Sequence, residues 1–314
     1  MEKEKQNKKK NPLVLIALLV FVIVWRAFTG QEIPLPAGLD LGNLWGNSYS
    51  DELEVYYLDV GQGDCTIIRF QDQAMIIDAG NNDQEENVVS YLNYLKIRNL
   101  TYIIGTHPDA DHVGGLDAVI KNFTVENIFM PHENRKTKTY QDVLTAMKKK
   151  KYTSTLPKVG SQYSLGSAIF TVIHPGKEYE ASNNNSLSIL LEYGENRFLF
   201  SGDAEFEAEA DMLNSGLSLK ADVYKAGHHG SKTSTSKKFF SAINPTYVVI
   251  SCAKDNPYGH PHAKTLNTLR GAKIQLYRTD EQGTIVAFSN GKTIRFNTSA
   301  GNNFTPGEPK NSAP

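Results

Sequence analysis

A dense run of potential metal ligands lies at residues 106–116, which read THPDADHVGGL. Within six residues it contains two histidines and two aspartates, namely His107, Asp109, Asp111 and His112. In an extended loop side chains alternate, so residues 107, 109 and 111 would project to one side, and His112 would address a second ion if a helix began there. Capping of a helix by Asp111 is the alternative, but it does not account for two histidines. The run therefore predicts a site for divalent metal ions.

Two later clusters of ligand-type side chains also follow apolar stretches. Residues 198–203, FLFSGD, predict a buried strand that ends near Asp203, and a carboxylate there suits a bridge between two ions. Residues 222–231, DVYKAGHHGS, place His228 and His229 directly after another predicted strand. An acidic turn residue or a pair of histidines would be unremarkable alone. Their combination with residues 106–116 favours a site with two metal ions.

Short predicted strands and helices position these clusters. Apolar runs predict strands at residues 53–60, 65–70, 75–78, 102–106, 220–225, 246–251 and 274–277. Apolar spacing predicts helices at residues 85–96, 205–213, 237–242 and 263–269. Asn290-Gly291 between two apolar runs predicts a hairpin with a type I′ turn. Strands interleaved with helices indicate an α/β fold in which packed sheets are covered by helices.

The chain resembles the metallo-β-lactamase superfamily of hydrolases. Residues 107–112 are similar to its HxHxDH signature, in the HxDxDH version that is found in the C-terminal domain of ComEC-type DNA-uptake channel proteins. Further motifs match that group in order: LDVGQGD (58–64), IIDAG (76–80), NNNS (183–186), FLFSGD (198–203), DVYKAGHHGS (222–231), YGHP (258–261) and RTDEQG (278–283). The resemblance implies an αββα sandwich, with two mixed sheets packed face to face and helices outside. It does not extend to the multi-spanning channel portion of those proteins.

The resemblance also implies a cofactor of two divalent metal ions, Zn²⁺ or Mn²⁺. The predicted metal ligands are His107, Asp109, Asp111, His112, Asp203 and His229. The predicted catalytic residues are His228 and Asp111, and the predicted substrate contacts are His228, Asn183 and His260. His228 would face the substrate phosphate while His229 ligates the second ion, although the reverse assignment stays open. An aspartate at position 109, where a histidine is commoner, makes the first site harder and so as suitable for Mn²⁺ as for Zn²⁺.

One position departs from the superfamily pattern. Many members supply another histidine upstream of the bridging aspartate, at the place where this chain has Asn183. His174 is the histidine nearest to it in sequence. If neither side chain coordinates, the first site has fewer protein ligands. Asn183 is equally well explained as a turn residue in an Asn-rich loop.

Three functions are consistent with these patterns. The resemblance implies an exported nuclease or phosphodiesterase that acts on DNA, with single-stranded DNA as the candidate substrate. Related choline-removing enzymes look similar around the same motifs, so the alternative is an esterase acting on phosphorylated cell-envelope polymers such as phosphocholine-bearing teichoic acid. A non-catalytic binding module is the third function, and the complete ligand set argues against it.

The overall charge carries little information about a nucleic-acid partner. A formal net charge of −1 argues against a globally basic nucleic-acid binder. Residues 134–152 are locally basic, with Arg135 and the run Lys148–Lys151. These side chains would contact phosphates, or would be the solvated end of a helix whose apolar stripe contains Tyr140, Val143, Leu144 and Met147.

The two cysteines, Cys65 and Cys252, lie in or beside apolar runs and are predicted to be separate buried thiols.

The N-terminus predicts association with a membrane. Residues 1–11 carry five lysines, and residues 12–28 (PLVLIALLVFVIVWRAF) are apolar apart from Arg26. The positive-inside rule keeps the lysine-rich end in the cytoplasm and exports the chain beyond residue 28. No small-residue cleavage site comes after the apolar run, which favours a single-pass anchor in the cell membrane over a secreted, cleaved form.

Residues 29–51 are predicted as a linker, 52–297 as the hydrolase domain and 298–314 as a disordered tail.

Overall fold

The structure is a computed structural model, and it describes residues 52–309. The predicted basic flank (1–11), membrane segment (12–28) and linker (29–51) lie outside the described residues, as do residues 310–314. None of the helices within residues 52–309 combines the length and the apolar character that crossing a membrane requires.

Eight strands form the first sheet, in the spatial order β15-β14-β1-β2-β3-β4-β5-β6. They are β1 (Leu53–Tyr57), β2 (Thr66–Phe70), β3 (Gln73–Ile77), β4 (Asn99–Ile104), β5 (Thr124–Phe129), β6 (Ser154–Thr155), β14 (Ile285–Ser289) and β15 (Ile294–Phe296). Strands from β15 to β3 pair antiparallel, whereas β3 to β6 pair parallel. Short connections join the antiparallel pairs β1–β2, β2–β3 and β14–β15, whereas helical crossovers join the parallel strands β3 to β6.

Seven strands form the second sheet, in the order β13-β12-β11-β10-β9-β8-β7. They are β7 (Gln162–Leu165), β8 (Ala168–His174), β9 (Ser188–Tyr193), β10 (Asn196–Phe200), β11 (Val223–Lys225), β12 (Tyr247–Ile250) and β13 (Gln275–Arg278). This sheet is also mixed, with parallel pairing from β10 to β13.

Eight α-helices and three single 3₁₀ turns complete the described part of the chain. The helices are α1 (Glu85–Tyr94), α2 (Ala110–Val113), α3 (Leu116–Asn122), α4 (Lys138–Lys150), α5 (Phe206–Asn214), α6 (Lys237–Ile243), α7 (Ala263–Arg270) and α8 (Thr279–Gln282). The 3₁₀ turns are Asn82–Gln84, Ser182–Asn185 and Gly227–Gly230. Predicted helices and strands are present at their expected places, and their ends shift by a few residues.

The two sheets pack face to face around a shared apolar core. Alternation along β1 places Leu53, Val55 and Tyr57 in this core together with residues of the second sheet. Tyr57 stacks on Phe200 of β10, with 6.2 Å between ring centroids. Separate apolar clusters lie between each sheet and the helices that cover its outer face. The predicted αββα sandwich of two mixed sheets is therefore confirmed.

Two local predictions are also confirmed. Cys65 and Cys252 are free, buried thiols. In α4, Tyr140, Val143 and Met147 of the predicted stripe are buried against the first sheet's outer face. The lysines at the end of α4 stay exposed, so their position fits both a solvated helix end and a phosphate-binding patch.

The hairpin at residues 290–293 differs from the prediction. Gly291 has a positive φ of 84°, but Asn290 does not have a positive φ. A type I′ turn needs positive φ at both central residues, so this prediction is wrong. Instead the Asn290 carboxamide oxygen accepts hydrogen bonds from the backbone N–H groups of Lys292 and Thr293, at 3.0 and 2.8 Å. The side chain thereby closes a longer loop than the dipeptide predicts.

The segment after β15 is bound to the domain rather than disordered, as far as the structure describes it. Gly301 N–H donates to the carbonyl of Leu276 at 3.0 Å, and Gly307 N–H donates to that of Pro261 at 3.0 Å. The Arg278 guanidinium donates to the carbonyl of Thr305 at 2.6 Å. Composition alone predicts disorder because it does not reveal that β13 is an edge strand with unpaired backbone groups. For residues 298–309 that prediction is wrong.

Deleting residues 298–314 should lower the free energy of unfolding by about 2–4 kcal/mol, since it removes several hydrogen bonds of about 1 kcal/mol each. It should also expose the edge of the second sheet. Urea unfolding of the full chain and the deletion variant in mild detergent measures the difference. Deletion of residues 310–314 alone is the control and should leave the midpoint unchanged. Equal midpoints for the two deletions would contradict the prediction.

Candidate metal centre

The predicted site residues converge where strands of both sheets end. His107 comes three residues after β4 of the first sheet, and Asp203 comes three residues after β10 of the second sheet. His229 lies in the 3₁₀ turn after β11. The ends of these strands meet at one edge of the sandwich, which brings together residues that are about 100 positions apart in sequence.

Three imidazoles surround the Asp203 carboxylate. The Nε2 atom of His112 lies 3.3 Å from Asp203 Oδ2, and the Nε2 atom of His229 lies 3.5 Å from the same oxygen. His229 Nε2 is also 3.3 Å from Asp111 Oδ2. His107 completes the group with His112 and Asp203. All three imidazoles and Asp203 are buried, whereas Asp111 lies partly open to solvent.

The atoms that face this centre have no hydrogen-bond partner among residues 52–309. They are the Nε2 atoms of His107, His112 and His229 and the Oδ1 atom of Asp203. Buried polar atoms are normally paired, so four unpaired atoms in one place require an explanation. Two sets of side chains, His107–His112–Asp203 and Asp111–His112–His229, each offer ligand atoms within 4.8 Å of one another. Imidazole nitrogens and carboxylate oxygens suit Zn²⁺ and Mn²⁺, so the donor set fits divalent cations.

The loop after β4 is shorter than the alternation argument requires. Helix α2 begins at Ala110, so Asp111 and His112 lie on its first turn rather than on an extended loop. Asp109 occupies the N-cap position, but its carboxylate does not cap the helix. Its Oδ2 atom lies 3.8 Å from His107 Nε2, and its Oδ1 atom lies 3.8 Å from the Arg135 guanidinium. Asp109 is therefore at the rim and outside both ligand sets.

A buried aspartate orients His112. Asp78, directly after β3, accepts a hydrogen bond from His112 Nδ1 at 2.7 Å. The same carboxylate accepts from the backbone N–H and the hydroxyl of Thr106, at 2.8 and 2.7 Å. Such a partner fixes the ring so that Nε2 points at the metal. Reasoning from the sequence assigned no role to Asp78, although an aspartate at the end of a buried strand was the available signal.

A second buried pair lies behind His229. Its Nδ1 atom is 3.0 Å from the carbonyl oxygen of Ser251 and 3.2 Å from Asp64 Oδ1. Lys225, which is 4% exposed, donates through its ammonium group to Asp64 Oδ2. The turn that carries Asp64 passes so close to α2 that a Cβ atom at Gly63 would lie 2.4 Å from the backbone oxygen of Asp111. Sequence reasoning did not identify the Lys225–Asp64 pair.

His228 and His260 line the mouth of the centre. His228 Nε2 lies 3.6 Å from Asp203 Oδ2, and its Nδ1 lies 3.2 Å from the Thr233 hydroxyl. Its side chain is 21% exposed, whereas that of His229 is 1% exposed, so His229 is the more enclosed of the pair. The His260 ring lies 5.6 Å from the His228 ring, measured between centroids.

Neither candidate for the missing histidine joins the ligand sets. His174 Nε2 is hydrogen-bonded to the carbonyl oxygen of Asn184 at 2.7 Å, and its ring packs on Tyr179. Asn183 lies in the 3₁₀ turn Ser182–Asn185, where its carbonyl accepts from the N–H of Ser186. The Ser186 hydroxyl instead approaches the centre, 3.4 Å from His107 Nδ1. His174 is therefore structural, and the first ligand set has fewer imidazoles than the superfamily pattern.

Carboxylates control the protonation of these histidines. Burial alone would lower the pKa of His229, but Asp203 and Asp64 outweigh it and raise that pKa to about 10. Burial also opposes protonation of His112, yet Asp203 and Asp78 hold its pKa well above the usual range. For His107, burial and the neighbouring His112 lower the pKa to about 4. Without metal, the carboxylates therefore favour the protonated forms of His112 and His229, whereas burial favours the neutral form of His107.

Metal binding should release protons and strengthen as pH rises. The raised pKa values of His112 and His229 mean that a cation displaces protons from both rings at neutral pH. Calorimetric titration with Zn²⁺ or Mn²⁺, in buffers of different ionisation enthalpy at about pH 6 and about pH 8, measures affinity and proton release together. We expect tighter binding at the higher pH. An affinity that is the same at both values would contradict the prediction.

Comparison with known proteins agrees with this geometry. Residues 58–254 match the model of the metallo-beta-lactamase superfamily. The chain is 32% identical to ComE operon protein 3 of Bacillus subtilis (strain 168) over an alignment of 255 residues. This alignment covers 75% of this chain and 33% of that protein. The chain is 28% identical to Recombination protein 2 of Haemophilus influenzae over an alignment of 237 residues. This alignment covers 74% of this chain and 28% of that protein. The chain thus spans about a third of the length of these relatives.

A solved structure shares the fold. The metallo-beta-lactamase fold protein YhfI from Bacillus subtilis superposes with a TM-score of 0.51 at 11% sequence identity, covering 76% of this chain and 100% of that one. At this identity the similarity concerns the fold alone. The match to the family covers more than half of the chain, and the relatives confirm the resemblance to ComEC-type proteins. The chain belongs to the metallo-β-lactamase superfamily of metal-dependent hydrolases.

Proposed function

We propose that this domain is a phosphodiesterase that uses two divalent cations to hydrolyse DNA. The observation that carries the proposal is the group of four buried, unpaired ligand atoms on His107, His112, His229 and Asp203. Buried atoms without a hydrogen bond cost free energy unless a ligand binds there, so these atoms favour bound cations, and the hydrolase family of the chain favours catalysis over a binding module. The relative named Recombination protein 2 supports DNA as the substrate class.

The proposed ligands divide between two cations. His107, Asp109 and Asp203 would hold the first ion, and Asp111, His112 and His229 the second, with Asp203 shared. One oxygen of Asp109 lies 3.8 Å from His107 Nε2 and the other 3.8 Å from the Arg135 guanidinium, so Asp109 would complete the first site from the rim. When bound, the ions would lower the pKa of a water molecule and neutralise charge on the phosphoryl oxygens.

The chain's own side chains supply orientation and proton transfer. Asp78 accepts from His112 Nδ1, and the Ser251 carbonyl accepts from His229 Nδ1 with Asp64 beside it, which leaves each Nε2 directed at the centre. His228 stands at the mouth with Nε2 towards Asp203, where it would donate a hydrogen bond to a phosphoryl oxygen or a proton to the leaving group. Asp111, partly open to solvent, would accept the proton of the attacking water. His260 and Asn183 are the further proposed substrate contacts.

We also propose that the domain acts outside the cytoplasm, anchored by residues 12–28. The support is the lysine-rich flank before an apolar stretch in the sequence. DNA outside the cytoplasm would then be the material hydrolysed. Addition of a protease to intact cells tests the location, since an extracytoplasmic domain is digested and a cytoplasmic one is protected.

Parallel assays test the chemistry. The full chain, loaded with Mn²⁺ or Zn²⁺ in mild detergent, is incubated with single-stranded DNA and with p-nitrophenyl phosphorylcholine. We expect cleavage of DNA that chelation abolishes. Release of p-nitrophenol from the choline substrate without DNA cleavage would replace the proposal by hydrolysis of envelope polymers. Tight metal binding without turnover of either substrate would leave a binding module.

A further inference from the structure

An exposed tyrosine stands beside the mouth of the centre. Tyr258 lies between β12 and α7 and is 59% exposed. Its ring stacks on that of His260, with 5.5 Å between centroids and 21° between planes. The His260 ring stacks in turn on that of His229, at 6.0 Å and 29°. A series of nearly parallel rings therefore leads from the candidate metal centre to solvent, and Tyr258 is its outer member.

The loop that carries Tyr258 is held by one buried side chain. Asn256 is 2% exposed, and its oxygen accepts from the N–H groups of Tyr258 and His260, at 3.1 and 3.0 Å. Its amide group donates to the carbonyls of Ala253 and His260, at 2.9 and 2.6 Å. These bonds fix the backbone on both sides of Tyr258. The Tyr258 backbone is therefore already ordered before a ligand binds, so little conformational entropy is lost on binding.

We propose that Tyr258 is a stacking platform for the nucleobase next to the hydrolysed phosphate, and that it gives the enzyme a preference for single-stranded nucleic acid. The proposal rests on the proposed DNA phosphodiesterase function. An exposed aromatic face binds the bases of single strands without regard to sequence, because every base has a π-face. Bases in a duplex remain stacked on one another and do not offer that face. His228, the proposed phosphate contact, is one ring contact from His260 and would hold the phosphate beside the platform.

The surroundings of Tyr258 favour a base over a choline headgroup. Quaternary ammonium groups are bound by several aromatic faces arranged as a cage. Within the described part of the chain, the rings in contact with Tyr258 and His260 are imidazoles: His228, His229 and His262. One aromatic face provides a platform and not a cage.

Hydrolysis by full-chain variants tests the platform. The substrates are bis-p-nitrophenyl phosphate, which has no base, a single-stranded oligothymidylate and an oligonucleotide with abasic residues. We expect Tyr258→Ala to reduce kcat/KM on oligothymidylate by about 5- to 100-fold. Its activity on bis-p-nitrophenyl phosphate and on the abasic strand should match the wild type. Tyr258→Phe should retain activity, and Tyr94→Ala, which removes a more exposed aromatic ring on α1, is the matched control.

Binding separates the platform from the chemistry. A phosphorothioate oligonucleotide with 2-aminopurine reports stacking by fluorescence quenching, without hydrolysis. Quenching that depends on Tyr258, in a protein that cleaves no DNA, would overturn the proposed function and support the platform. Cleavage of oligothymidylate at the wild-type rate by Tyr258→Ala would overturn the platform and leave the function. An equal loss on all substrates, or a loss confined to p-nitrophenyl phosphorylcholine, would also overturn the platform.

Discussion

The Asp203→Asn variant should hydrolyse bis-p-nitrophenyl phosphate much more slowly than the wild type. The loss of rate should exceed the factor of about 10 to 100 that is typical when a residue that only orients a metal ligand is removed. Asp203 is the carboxylate on which the Nε2 atoms of His112, His228 and His229 converge, at 3.3–3.6 Å. Burial alone would raise the pKa of Asp203, but His112 and His229 hold it well below the usual range. The carboxylate is therefore ionised at any working pH and ready to bridge two cations. An amide of the same shape removes that charge and leaves the packing intact.

Two measurements make this result specific. Metal content after dialysis should fall together with activity, because Asp203 is proposed to belong to both sites. Asp142→Asn is the matched control, since it removes an exposed carboxylate that pairs with Lys138 on α4. Asp142→Asn should retain wild-type turnover and metal content. Folded Asp203→Asn protein that hydrolyses the diester within about tenfold of the wild type would rule out the proposed centre.

The Lys225→Met variant should lose about 3–5 kcal/mol of folding stability, which is the range for breaking a buried ion pair by removing one partner. Lys225 and Asp64 are both more than nine-tenths buried. Burial alone would raise the pKa of Asp64, but Lys225 and His229 hold it below its usual range. Without the ammonium group, a charged carboxylate remains in the interior beside His229. We expect Asp64 to take up a proton in this variant and His229 to lose its fixed orientation.

A double-mutant cycle separates the lost pair from lost packing. Lys225→Met combined with Asp64→Asn removes both charges and should recover part of the stability that the single variant loses. Lys138→Met is the control, because Lys138 pairs with Asp142 and both side chains are exposed to solvent. Its effect should stay within about 1 kcal/mol, as for other surface pairs. Urea unfolding of the chelated proteins measures these three variants, the Asp64→Asn variant and the wild type. Equal losses for Lys225→Met and Lys138→Met would contradict the prediction.

Much of the centre can be predicted from local patterns. His107, Asp203 and His229 each come after an apolar run, and a run of that kind is detectable without knowledge of the fold. Since the strands of the sandwich end at a common edge, side chains just beyond them meet there. The same logic did not place Asp111, because the helix begins at Ala110 and takes that residue off the extended path. A helix start one residue earlier or later is not resolved by sequence periodicity.

The supporting residues could not be predicted in this way. Lys225 and Asp64 are 161 positions apart, and nothing near either residue indicates the other. A lysine at the end of an apolar strand looks like an ordinary solvated side chain until the turn that carries Asp64, between β1 and β2 of the first sheet, packs against it. The segment after β15 shows the same limitation, since its polar composition hides backbone hydrogen bonds to β13 and to Pro261. Long-range pairs and edge-strand contacts depend on topology, which local patterns do not specify.

The proposed metal ligands come from both sheets, so metal binding would affect the stability of the domain. His107, Asp111 and His112 come from the first sheet, and Asp203 and His229 from the second. A cation bound among them would act as a reversible cross-link at the rim of the sandwich. At a concentration 100 times its dissociation constant, such a ligand adds about 2.7 kcal/mol to the free energy of unfolding. The supply of the ion in the surroundings would then set the lifetime of the folded domain as well as its turnover.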